Sequence, residues 1–115
     1  MIALHGDVHW SVVLGFTPDS AQGVATRFAG YDVPRDGPEL GDAIGEIVNI
    51  VGGSVKRLLA PRALTADLSL PTVITATQFQ VILQRKTTSS HVHFDSAVGE
   101  LWSSVTVGID PGMIL

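Results

Sequence analysis

Apolar residues recur at helical spacing over one long stretch of the chain, Asp36 to Ala60. Leu40, Ala43, Ile44, Ile47, Val51, Val55 and Leu58 follow one another at intervals of three and four, the stripe of a core-facing helix at about 100° per residue. Asp36 is placed to cap it, Pro38 to open it where a missing N–H costs nothing, and Glu39 to complete an Asp-x-x-Glu variant of the capping box. Pro61 ends it. Ahead of this helix, Met1–His5 and Val8–Phe16 have strand composition around a Gly6-Asp7 turn and predict a hairpin. Thr17 then caps a short helix with Pro18 at its first position, a buried stripe of Ala21, Val24, Ala25 and Phe28, and Gly30 at its end. Tyr31 to Gly37 is a polar connection.

Beyond Pro61 the period changes from helical to alternating. Leu68–Thr77 and Gln78–Arg85 predict strands, with Val73, Ile74, Phe79, Val81, Ile82 and Leu83 as core candidates. Gln84–Ser90 is a polar loop. His91–Asp95 and Leu101–Ile109 predict a terminal hairpin with Val92, Phe94, Leu101, Val105 and Val107 facing in. The order of hairpin, two helices and further antiparallel strands is an α+β pattern, with the helices laid on one face of a sheet.

The polar side of the long helix carries the candidate chemistry. Asp42, Gly45, Glu46, Asn49, Gly53 and Lys56 fall within an arc of about 100° turned away from the apolar stripe, so Glu46 and Asn49 project from one ridge. Gly45, Gly52 and Gly53 each cost about 1 kcal/mol against alanine inside a helix. Either another element of the fold packs closely there, or the helix breaks at Gly52-Gly53, or a partner's backbone docks on a bare helix surface.

At these residues a family resemblance enters. Gly41-Asp-Ala-Ile-Gly-Glu-Ile-Val-Asn-Ile-Val-Gly-Gly-Ser-Val-Lys56, with its Asp42-x-x-x-Glu46-x-x-Asn49 core, resembles the signature helix of the CheC/CheX/FliY chemotaxis phosphatases, and is most similar to CheX. The motif of that family continues to a proline, matched by Pro71, 22 positions beyond Asn49. The resemblance implies a CheC-like α+β fold over residues 1–115 as one domain, lacking the usual N-terminal helix. It also implies hydrolysis of the aspartyl phosphate of a CheY-like response regulator. Asn49 would place the attacking water and Glu46 would pair with the receiver's lysine. Asp42, Gly45, Gly53 and Lys56 would belong to the docking face. The Mg²⁺ of the reaction is expected in the partner, with no cofactor or metal held by this chain. A homodimer is expected as well. The alternatives are a receiver-binding or flagellar interaction module without turnover, and a structural domain in which Glu46 and Asn49 are ordinary surface residues.

Composition narrows the field without deciding it. A chain of 115 residues, 45% hydrophobic and 16% charged, has the length and content of one ordinary globular core. A net charge of −4 with scattered Lys56, Arg57, Arg62, Arg85 and Lys86 argues against a nucleic-acid partner. The absence of cysteine removes disulfides, thiol nucleophiles and thiolate metal sites, and fits a cytoplasmic location. No run of 18 apolar residues predicts a membrane span. His5 and His9 lie near the first turn and are taken as edge or solvent-facing. His91 and His93 share one strand face at a spacing some metal sites use, and without a third ligand visible in the sequence they too are taken as structural. Asp95 and Glu100 flank the last turn as solvated residues.

Overall fold

The computed structural model describes residues 1–75 and 87–108. Two strands, β1 (Ile2–Gly6) and β2 (His9–Phe16), form the first hairpin, followed by helices α1 (Pro18–Ala29) and α2 (Pro38–Leu59). A 3₁₀ turn over Ala60–Arg62 leads to β3 (Ala66–Leu68), and β4 (Thr87–Ser96) and β5 (Gly99–Gly108) close the chain as a second hairpin. The strands form one sheet in the order β3-β1-β2-β5-β4, antiparallel at every pairing.

Register sets the two faces of this sheet. Ile2 pairs with Val12, Leu4 with Trp10 and Val12 with Val105, so all five point to the helix side. There Ile2, Leu4 and Val12 join Ile44, Val48 and Leu59 of α2 and Ala66 of β3 in the buried core.

Helix α1 starts as expected: Thr17 Oγ1 accepts from the Ser20 amide at 3.1 Å and Ser20 Oγ accepts from the Thr17 amide at 2.9 Å. Gly30 closes it in the left-handed region at φ 81°. Ala25 is buried in its stripe, whereas Phe28 stands in solvent. The connection after it is more than a polar linker. Val33 is buried, its amide donates to Thr26 Oγ1, its carbonyl accepts from Gln22, and Arg35 reaches back to Asp19 and Gln22.

Helix α2 departs from expectation at its start and in its phase. Its N-cap is Gly37, with no side-chain cap hydrogen bond. With Pro38 at the first helical position, Asp36 falls one place before the N-cap and Glu39 one place before N3, so the two do not form a capping box. The buried row is Ile44, Val48 and Gly52 together with Gly45 and Leu59, centred on Val48, which is 1% exposed. The stripe drawn from the sequence leaves out Gly45, Val48 and Gly52 and so swings toward Ile47 and Val51, which are half-buried. The same error assigned Leu58 to the core. It is 73% exposed, and Leu59, on the meridian of Val48, takes the buried place. The helix does not break at its glycine pair.

The segment after β3 also differs. Of the strand expected over Leu68–Thr77, only Leu68 belongs to one among the described residues: β3 ends there, and the chain after it meets the N-terminal segment through single hydrogen bonds, Ser69 N–H to Ala3 O at 2.9 Å and Thr72 N–H to Met1 O at 2.8 Å, while residues 76 and 77 lie outside the described residues. Pro71 has no N–H to give a ladder. Val73 and Ile74 are exposed, not core. Phe79, Val81, Ile82 and Leu83, the strand expected over residues 78–85, Gln84 to Lys86 of the expected loop, and Ile109 lie outside the described residues. Thr87–Ser90 belong to β4 and not to a loop, because their backbones pair with β5 whatever their polarity; Ser89 and Thr106 exchange a hydroxyl hydrogen bond at 3.0 Å. Val92 and Phe94 do turn to the helix side by register, yet neither helix reaches over that edge strand, and they remain 47% and 44% exposed.

One clasp joins the first turn to the entrance of β3. Asp7 Oδ2 accepts from the Thr65 amide at 2.8 Å and from its hydroxyl at 3.1 Å. These bonds, the amide's first, hold the Asp7 carboxyl below its ordinary value of 3.8 against a small opposing desolvation. A depressed folded-state pKa contributes stability above the ordinary value and loses it as pH falls through the folded one. The melting-temperature gap between the parent and Asp7→Asn is therefore expected to close on acidification below pH 3.8. A gap that stays constant with pH would show that the clasp does not depend on charge.

Candidate functional site

The candidate residues sit on a flank of α2, about 100° around the helix from the centre of its buried row. Asp42, Glu46, Asn49 and Lys56 are exposed, and Gly53 is half-buried between them. Glu46 and Asn49 are one turn apart on the same ridge, at the three-residue spacing that places Cβ atoms about 5–6 Å apart. Among the described residues the only side-chain hydrogen bonds on α2 are Ser54 Oγ to Ile50 O at 3.0 Å and Arg57 Nη2 to Ser54 Oγ at 3.0 Å. Asp42, Glu46, Asn49 and Lys56 thus present their polar atoms to solvent.

Gly45 is the exception to the expected face. It is buried, and a Cβ there would lie 3.7 Å from Val73 Cγ2 and 3.9 Å from Pro71 Cγ. The proline expected to belong to the motif is brought against the helix beside Glu46 and Asn49, and Gly45 is the seat it occupies. Gly45 therefore forms the wall of the ridge and is not open to a partner. Gly52 has a similar account inside the fold, because a Cβ there would come within 3.0 Å of Ile2 Cδ1 and Cγ2.

Gly53 has no such account: nothing lies within 4 Å of a Cβ built on it. Gly53→Ala is accordingly expected to raise stability by up to about 1 kcal/mol. Equal or lower stability in a urea melt would mean that the helix surface at this point is not open.

The ridge is convex. A groove of about 900 Å³ among the described residues opens elsewhere, lined in part by Met1, Phe16, Pro38, Leu40 and Ile74, and neither Glu46 nor Asn49 lines it. Chemistry on this ridge therefore does not draw on that groove to enclose a small molecule. Ile50, 52% exposed and one turn beyond Glu46, adds an apolar flank that the sequence stripe did not single out. Its signal was an apolar residue out of phase with the rest.

No curated protein matches the chain. Among solved structures, the chemotaxis protein CheX from Vibrio vulnificus superposes with a TM-score of 0.81 at 22% identity, over 92% of this chain and 72% of that one. CheX from Desulfovibrio desulfuricans gives 0.82 at 22% identity over 92% and 71%. A CheC-like superfamily protein from Shewanella sp. PV-4 gives 0.81 at 19% identity over 94% and 71%. These likenesses establish the fold. The sequence family described as chemotaxis phosphatase CheX matches residues 1–95 of the 115, and with a CheC-like antiparallel sheet under two helices, this chain belongs to the CheX family.

Proposed function

We propose that this protein hydrolyses the aspartyl phosphate of a CheY-like response regulator, using Asn49 to orient the attacking water and Glu46 to dock the receiver. The observation that carries this reading is the exposed acid and amide, without a hydrogen-bond partner among the described residues, on a convex helix ridge. A convex site suits a macromolecular substrate that brings its own reactive centre. Membership of a chemotaxis phosphatase family supports the reaction class.

A receiver supplies the phosphoryl group, a Mg²⁺ ion and a lysine, so the missing component is a positioned water. Water attacks phosphorus, the bond from phosphorus to the aspartyl oxygen breaks with its electron pair left on the aspartate carboxylate, and inorganic phosphate leaves with the water's oxygen and both its protons. An amide suits the task because it donates and accepts without titrating. Glu46, one turn earlier, is placed to form a charge-assisted contact with the receiver's lysine, of about 1.5–3 kcal/mol when shielded. Asp42, Lys56 and the bare surface at Gly53 extend the docking face along the ridge, and Ile50 flanks it.

The test is release of phosphate from a panel of phosphorylated receivers with Mg²⁺, with and without the protein. Faster loss from at least one receiver is the expected result. Binding to a receiver at an unchanged rate of loss would leave an interaction module in place of the phosphatase.

A further inference from the structure

The second chemical cluster of the molecule is on the opposite face of the sheet from α2. Along β4, His91, His93 and Asp95 alternate onto that face, and on β5 Glu100 stands directly across from Asp95 and Trp102 across from His93. One ligand atom each from His93, Asp95 and Glu100 lies within 4.8 Å of the other two, with His93 Nε2 4.0 Å from Glu100 Oε2. The sequence alone showed two histidines and no third ligand. Strand register supplies the missing ones from the neighbouring turn.

Two features separate this cluster from an ordinary solvated hairpin end. Like charges directly opposite each other on neighbouring strands are destabilising, yet Asp95 and Glu100 are so placed, and among the described residues no lysine or arginine pairs with either. In addition, an imidazole joins the two carboxylates, which gives a mixed nitrogen and oxygen donor set from two strands that are rigidly paired. Such a set suits zinc and its first-row neighbours better than magnesium or calcium, which take oxygen ligands.

We propose that His93, Asp95 and Glu100 form a binding site for a divalent first-row transition ion, Zn²⁺ being the reference case. Bonds of about 2.0–2.2 Å to nitrogen and oxygen require the three donors to close in from their present separation. Exposed side chains can do this by rotation, without moving the strands. Water completes the coordination, because all three ligands face solvent. Bound there, the ion bridges β4 to β5 near the turn and cancels the repulsion of the carboxylate pair. His91 is a neighbour and not a ligand in this arrangement, since its Nδ1 is engaged by Ser104 Oγ.

The experiment is calorimetric titration of Zn²⁺ into the tag-free, chelator-treated full chain. The variants are His93→Ala, Glu100→Gln and, as a control, His5→Ala on a strand that does not touch β4. Circular dichroism confirms folding of each, and the side chains replaced at the site are more than half exposed, so the fold has little to lose. The proposal expects one ion per chain, a loss of affinity of about tenfold or more in both site variants, and parent affinity in His5→Ala. Absence of saturable binding in the parent overturns it. So does parent-like affinity in His93→Ala or Glu100→Gln, or loss of binding in His5→Ala.

Discussion

Leu4→Ala is expected to destabilise the protein by about 2–5 kcal/mol, through lost transfer free energy and the cavity left behind. Leu4 is 0% exposed and sits where β1 meets α2, in one cluster with Ile2, Val12, Val48 and Leu59. Against a total stability of about 5–15 kcal/mol for a domain of ordinary size, one such change removes a large share. Leu58→Ala deletes the same atoms from an exposed position and should stay within about 0.5 kcal/mol. Urea midpoints at unchanged slope measure both. A larger cost at Leu58 than at Leu4 would mean that α2 is rotated from the phase described.

The sequence pattern carried the long helix, both hairpins and the α+β order, because each rests on local rules: caps, turn residues and period. It carried the exact core less well. Val48 fell outside a stripe centred on Ile47 and Val51, while the packing row runs Ile44, Val48, Gly52 and depends on a glycine that admits Ile2. Val92 and Phe94 show the converse limit. Alternation gives the side of the sheet to which a residue points, but whether anything covers that side depends on the reach of distant helices. β3 stops at Leu68, ahead of Pro71, where apolar neighbours otherwise predicted a longer strand.

The candidate site was legible as a ridge, since Asp42, Glu46, Asn49, Gly53 and Lys56 share a face by helical arithmetic alone. Gly45 was misplaced onto that face because its partners, Pro71 and Val73, are far along the chain and packing of that range leaves no local trace. The approach of Glu100 to His93 was invisible for the same reason: only the register of β4 against β5 brings them together.

Asn49→Ala is expected to slow dephosphorylation of a receiver about 100-fold, the scale on which small misplacements of a reacting group act. Docking should be largely retained, since the amide's interaction with water matters mainly in the transition state. Asn49→Asp should be no better than alanine. It keeps the size but loses both amide donors and adds negative charge beside a phosphoryl group. Glu46→Ala should weaken docking as well as rate. Both residues are exposed, so the variants should fold as the parent does. The most direct test is phosphate loss from one phosphorylated receiver at saturating parent or Asn49→Ala, with docking measured in parallel. The proposed mechanism predicts acceleration by the parent and its near-complete loss in the docked variant; equal rates for the two folded proteins would contradict it.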